Sequence, residues 1–171
     1  MMKYCNESIR RQDRLLEKEK AIQLLTTGEY GVLSLQAEEG GGYGIPVNFV
    51  WDGAFSIYLH CAPEGRKLRC ISNQSKASFC IVGHTSVVSN KFTTLYESII
   101  LSCKAHIGLS LQERLEGLTL LIDKYAPDDK AIGLKYTEKS FHRTEVIRLD
   151  ITHWSGKSKK FATIHISRCM E

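Results

Sequence analysis

Two apolar arms that meet at an Asp-Gly pair constrain this chain more than any other stretch. In "YGIPVNFVWDGAFSIYLHC", residues 43–61, Asp52-Gly53 tolerates the positive φ angles of a tight hairpin, and the alternation on either side predicts strands over 43–51 and 54–61. Pro46 interrupts the first arm. A proline cannot donate to a ladder, so it marks a sheet edge, a bulge or a place where another group approaches the backbone.

The same reading places further strands at 30–36, 76–82, 97–109 and 144–152, with a glycine turn at Gly40, Gly41 and Gly42. Between 82 and 97 the polar run "HTSVVSNKFTT" predicts a long loop, a place where function is often carried. Leu15, Ile22 and Leu25 share one face of a helix predicted over 14–27 and stopped at Gly28. Ser110 and Glu113 form a capping box ahead of a stripe of Leu111, Leu115, Leu118, Ile122 and Tyr125 that ends near Pro127. About six short strands with two or three peripheral helices imply a mainly β fold, a small antiparallel barrel with added helices. With 171 residues, 43% of them hydrophobic, a single domain over 1–171 is expected, its C-terminal extension starting at about 153.

No apolar run is long enough to span a bilayer, and "MMKYCNESIRRQDRLL" lacks the apolar segment of an export signal, so a cytoplasmic protein without a membrane partner is expected. A net charge of +4 permits an anionic ligand without singling one out, and no nucleic-acid partner is expected. The six cysteines form no CxxC pair and read as free thiols. His60 and Cys61 are neighbours in a strand and point to opposite faces, so no metal is expected there.

After His60 the chain runs "CAPEGRKLRC". Pro63 suits the first position of a helix, whose free N–H groups, with Arg66 and Lys67, would favour a phosphate; the alternative is a solvated basic surface.

Three ordered blocks, "GIPVNFVWDGAFSIYLHCAPEGRKLRCI", "FTTLYESIILSCKAHI" and "RTEVIRLDITHWSGK", resemble the nitroimidazole-resistance (Nim) proteins of the flavin-binding split-barrel superfamily that includes pyridoxamine 5'-phosphate oxidase. The likeness runs from about Leu24 to Lys157. It implies a six-stranded antiparallel Greek-key split barrel working as a homodimer, with two flavin mononucleotide (FMN) sites at the interface and FAD as the other candidate. By this resemblance Pro46, Val47, Asn48 and Phe49 contact the flavin ring, Arg66 and Lys67 hold its phosphate, and Tyr96, Glu97 and Ser98 line the cleft. Trp154 packs near the flavin from the partner subunit or else anchors the core or the dimer interface, and Lys157 adds charge. His60 then faces the substrate as a proton donor or positioning group, unless it only closes its strand with an ordinary hydrogen bond.

The implied activity is FMN-dependent reduction of a nitroaromatic, such as a 5-nitroimidazole, or of a related small acceptor, and so antibiotic resistance. The alternatives are a non-catalytic flavin- or haem-binding protein, with His60 or His84 as axial ligand, and a pyridoxamine-phosphate-oxidase-like enzyme. For the last, the basic motifs that hold its substrate's phosphate are not seen.

Overall fold

A computed structural model describes residues 2–160. The chain runs through β1 (Lys3–Tyr4), α1 (Lys18–Thr27), β2 (Tyr30–Gln36), β3 (Gly42–Asn48), β4 (Val50–Trp51), β5 (Ser56–Cys61), α2 (Arg66–Asn73), β6 (Lys76–Val88), β7 (Thr93–His106), α3 (Leu111–Tyr125), α4 (Lys130–Ser140) and β8 (Glu145–Lys159). The strands form one sheet in the order β3-β2-β6-β7-β8-β5-β4, every neighbour antiparallel, with β1 added parallel to β8.

The first and last strands of that order, β3 and β4, are separated in the chain by one residue, Phe49. The two ends of the sheet are therefore one bent strand, and the sheet closes on itself. Counting β3 and β4 as one and leaving out the appended β1, the barrel has six strands. Closure removes most of the unpaired edge that an open sheet would expose.

Alternation sends one face of each strand inward: Leu33 and Leu35 from β2, Ile57 and Leu59 from β5, Phe79 and Ile81 from β6, Ile99 and Leu101 from β7, and Ile147 and Leu149 from β8 are all buried in one core. The Phe49 ring lies in that core, 5.1 Å from the Phe79 ring in an edge-on arrangement. A smaller core of Val50, Leu118, Leu121 and Val146 fixes α3 against the outer face of β4, β5 and β8.

The bend at Phe49 takes its backbone out of both ladders, and α3 supplies the missing partners. The Phe49 N–H donates to Tyr125 Oη at 3.0 Å, and its carbonyl accepts from Lys124 Nζ at 2.8 Å. Lys124 Nζ also donates to the Gly28 carbonyl at 2.7 Å and lies 3.8 Å from the centre of the Phe49 ring. Tyr125 Oη reaches the Glu29 carbonyl at 2.6 Å, so the last turn of α3 staples the closure point to the chain that enters β2. Burial pushes the Lys124 pKa down to about 8.

The Asp52-Gly53 hairpin forms as expected, with Gly53 at φ 79° and Asp52 Oδ1 accepting from the Ala54 and Ser56 N–H groups. Half of the capping box forms, Ser110 Oγ accepting from the Glu113 N–H at 3.2 Å, while the Glu113 carboxylate pairs with Arg148 of β8. Several boundaries move. The first helix starts at Lys18, and Arg14 belongs to a separate 3-10 turn, because the chain near Leu15 bridges to Lys157 of β8 instead of coiling. The helix expected from Pro63 starts at Arg66, behind Gly65 at φ 135°, a value that turns the chain where side-chain-bearing residues would be strained.

The long loop expected between 82 and 97 is paired chain. β6 and β7 continue as a hairpin through a bulge at Val82/Thr85 to a 3-10 turn at Ser89–Lys91. Much of that hairpin faces water on both sides, so its residues carry no apolar alternation and read as loop. The extension expected from 153 onward begins instead as the second half of β8, and 161–171, with His165 and Cys169, lie outside the described residues. α4 carries Ile132, Leu134 and Tyr136 on exposed positions and so lacks the stripe that would have announced it.

Replacing Lys124 by Met strands the Gly28 carbonyl and leaves the Phe49 carbonyl to Tyr125 Oη alone, and should cost about 1–3 kcal/mol, read as a lower denaturation midpoint. Between pH 8 and the ordinary lysine value of 10.5 the unfolded chain holds a proton that the folded chain has released, so Lys124 makes folding more favourable as pH rises through that window. The stability of wild type relative to Lys124→Met should therefore climb from pH 8 to pH 10, and a flat difference would refute the assignment.

Candidate functional site

β3 pairs with β2 on one side only, and β5 is held to the closing strand only at Val50 and Trp51, so β3 and β5 part below Phe49. That gap is the split in the barrel. Asn48, the last residue of β3, and His60, near the end of β5, stand on its two sides and line one cavity of about 390 Å³. Its other walls include Leu121 and Ile122 of α3 and Gly133 and Thr137 of α4.

Each position follows from local pattern. On β3, Tyr43, Ile45 and Val47 pack against the main core while Gly44, Pro46 and Asn48 are exposed. On β5, Ile57 and Leu59 point inward, which turns Tyr58 and His60 outward. The Asn48 Nδ2 group donates to the Glu29 carbonyl at 3.1 Å. Burial, and then the charge of Lys67, lower the His60 pKa below its ordinary 6.5, so the imidazole is neutral at pH 7. Cys61 turns the other way and packs against the core, its thiol pushed up by burial.

The two basic residues expected to form one cradle diverge. Arg66 pairs with Glu39 of the β2–β3 turn, and its guanidinium lies 4.3 Å from the centre of the Tyr43 ring. Arg69 likewise pairs with Glu38 at 3.1 Å. Lys67 acts on the other side of the helix, where its charge reaches His60 and Cys61.

Other expected contacts are corrected by burial. Phe49 is fully buried and both of its backbone groups are taken by α3, so it offers neither ring nor amide to a ligand. Val47 turns its side chain to the core and has only backbone to offer. Trp154 is 1% exposed and packs 4.7 Å from the Tyr4 ring, so it serves the core of its own subunit and cannot reach into a partner's cleft. Tyr96, Glu97 and Ser98 lie on β7, which stands three places from β3 either way round the barrel. They do not meet the Asn48–His60 cavity within one chain. Tyr96 instead lines a hollow near the tip of the β6–β7 hairpin, beside Val87, Val88, Ser89 and Phe92, and Tyr96 and Glu97 share a smaller one with His84. Lys157 pairs with Ser98 in the β7–β8 ladder.

Sequence reasoning missed the residues that complete the site from outside the barrel: Tyr125 and the α4 positions. Tyr125 was legible only as a stripe residue of α3, and nothing local marks its hydroxyl as the partner of a backbone 76 residues away.

A family model described as pyridoxamine 5'-phosphate oxidase matches residues 17–158. No curated protein matches the sequence. Among solved structures, the fold is similar to that of an FAD and haem binding protein from Mycobacterium smegmatis, with TM-score 0.74 and 19% identity over 87% of this chain and 74% of that one. It is also similar to a candidate 5-nitroimidazole antibiotic resistance protein from Bacteroides thetaiotaomicron, with TM-score 0.68 and 16% identity over 85% and 86% of the two chains. A third similar structure is the flavocytochrome Anf3 from Azotobacter vinelandii, with TM-score 0.68 and 16% identity over 84% of this chain and 68% of that one. Among the described residues no helix is long and apolar enough to cross a membrane.

The electrostatics of the site can be read directly by following the His60 ring protons by NMR as pH is varied. His60 should titrate below 6.5, and Lys67→Ala should bring it closer to that value while leaving the part due to burial in place. An unmoved midpoint would mean that the Lys67 charge does not reach the ring.

Proposed function

The chain belongs to the pyridoxamine 5'-phosphate oxidase family, and from that premise we propose that it is a cytoplasmic flavin-dependent oxidoreductase acting on a small aromatic acceptor. The reading rests above all on one observation: Asn48 and His60 face a single cavity from opposite sides of the barrel split, beside the unpaired edge of β3. Flavin fits the residues there. Alternate N–H and C=O groups of β3 point away from β2 and are free to meet the hydrogen-bonding edge of a flat ring, and Pro46, which has no N–H to leave unpaired, lets the ring approach. Lys67 is the cation left for a phosphate, since Arg66 and Arg69 are already paired with Glu39 and Glu38. FMN is the preferred form, with FAD the alternative.

When bound, the flavin would supply electron storage and hydride delivery. The chain's own part is to bind, orient and exclude water. The neutral imidazole of His60 donates an N–H toward an oxygen of the acceptor, and its lowered pKa keeps it in the form that both gives and takes a proton near neutrality. A nitroaromatic such as a 5-nitroimidazole offers that oxygen and is the preferred acceptor.

The protein would act as a homodimer. Pro46, Val32, Cys80 and Ile100 face one another in successive strands and form an outward row, with Ile100 49% exposed. A second copy seated on that face would bring its own Tyr96 and Ser98 toward the first copy's Pro46 and Asn48, uniting residues that one chain keeps apart. Glu97 would carry a negative charge toward a phosphate and is the least suited of the three.

A second reading, haem binding, draws on two structural relatives, an FAD and haem binding protein and a flavocytochrome, and on His60 standing at a cavity. The absorption spectrum decides between the two: flavin gives two visible bands, haem one intense Soret band. We expect purified protein to be yellow and to release FMN on heating, identified by mass; colourless protein that takes up no added FMN would overturn the proposal. Lys67→Ala should weaken FMN binding about tenfold, or about 1.4 kcal/mol, by fluorescence titration, whereas His60→Ala should keep FMN and lose most turnover. Ile100→Glu should halve the mass seen by light scattering, and an unchanged mass would move the interface elsewhere.

A further inference from the structure

Independently of the flavin reading, we propose that the hollow near the tip of the β6–β7 hairpin binds a nucleoside phosphate, its phosphates held by Arg14 and Lys159 and its base stacked on Phe92. At about 650 Å³ the hollow lies within the range of small-molecule sites, about 300–1,000 Å³. Three parts of the chain that only the fold brings together make it: the hairpin, the end of β8 through the Lys159–Tyr96 pair, and the segment before α1, which the bridge between Leu15 and Lys157 lays beside β8. None of its residues lines the cavity between Asn48 and His60.

The charge of the lining has one sign. Among the described residues no carboxylate lines the hollow, and Glu97 lines only the smaller one beside it. Arg14 has charge to spare. Its carboxylate neighbour Asp13 stands 3.9 Å away and is held by Arg11, which donates to both Asp13 oxygens at 2.7 and 2.6 Å and draws the Asp13 pKa down to about 2. Lys159 Nζ donates to Thr93 Oγ1, a neutral partner, and a hydroxyl that accepts from an ammonium keeps its own hydrogen for another acceptor. Ser89 and Thr94 add two more hydroxyls. Two cations from separate elements, with hydroxyls in the same lining, suit the several acceptor oxygens of a phosphate.

The apolar part of the lining points to a flat ring. Phe92 is 99% exposed and holds φ 47°, the left-handed region that a bulky side chain rarely adopts. A whole aromatic ring kept in water on a strained backbone works against stability, and strain of this kind collects at ligand clamps. Val87, 77% exposed, and Tyr96 line the same hollow. A nucleobase stacked on the Phe92 ring would draw both faces in contact out of water. Base and phosphate together account for the cationic, hydroxyl and aromatic side chains gathered there. Two sources supply that chemistry, a free nucleotide and the adenosine half of FAD.

The probe is ADP, titrated calorimetrically into the purified full chain with and without FMN, beside adenosine and pyrophosphate as its two halves. ADP should bind at least tenfold more tightly than either half and slow hydrogen exchange over 86–95, while α3 and α4 are unchanged. Arg14→Gln and Lys159→Gln should each cost ADP at least threefold in affinity. Phe92→Asn removes the ring and supplies a residue that tolerates left-handed backbone, so it should cost ADP at least tenfold while the denaturation midpoint holds or rises. Absence of ADP binding, pyrophosphate binding as tightly as ADP, protection along α4 in place of the hairpin, or full affinity in Phe92→Asn would overturn the proposal. Should a variant not fold, the wild type's ranking of ADP against its halves and its exchange map decide alone. Repeating the titration with FAD in place of FMN separates the sources: ADP excluded by FAD means that the hollow takes the adenosine of the cofactor, and ADP bound as before means a free nucleotide. ADP bound by a chain that ignores FMN upholds the hollow and sinks the flavin reading; FMN bound by a chain that never takes ADP does the reverse.

Discussion

Everything in this barrel hangs on how one residue is satisfied. A sheet whose first and last strands are the same piece of chain must bend where they join, and at the bend Phe49 can reach neither ladder with its N–H or its carbonyl. Buried and unpaired, those groups would work against closure. Lys124 and Tyr125 remove that cost from outside, and Lys124 covers the Phe49 ring at the same time. The arrangement ties closure to the site, because Tyr125 also lines the cavity and Asn48 precedes Phe49. The split exists where the closing strand has been drawn toward α3.

Charge around the split is more finely divided than the basic run suggests. Two of the cations on α2 spend their charge on an acidic turn, which pins the β2–β3 hairpin across the helix with exposed pairs of modest strength. Only Lys67 bears on His60. An anionic tail near α2 would therefore meet a single unpaired cation of that helix with carboxylates close by, and under the proposed function the edge of β3 would have to carry much of the affinity.

The topology also keeps apart residues that the proposed dimer would unite. β3 and β7 lie as far apart as a six-stranded ring allows, so no folding of the single chain can bring Tyr96 or Ser98 to Asn48. The outer face of β3, β2, β6 and β7 is free of α3 and α4 and carries apolar side chains where a solvated sheet would alternate to polar ones. Both facts are what supports the proposed dimer through that face.

Residues 43–61 determine their hairpin alone, because Asp52 and Gly53 set the turn and alternation sets the faces, all within one stretch of chain. The same holds for the Ser110–Glu113 cap and for the outward aim of His60, while three ordered blocks sufficed for the fold family. What depends on distant partners was closed to sequence. Trp154 could have faced a ligand or the core, and only Tyr4, 150 residues earlier, decides that it is core. Arg66 looked like a phosphate ligand until the β2–β3 turn brought Glu39 to it. The polar β6–β7 hairpin and α4 have no apolar period to read, since each is placed by backbone pairing or by a neighbouring helix rather than by burial of its own stripe. Local periodicity thus determined elements and faces, whereas tertiary packing decided which charges are spent, which rings are buried and where the cavity lies, because those outcomes turn on contacts between residues far apart along the chain.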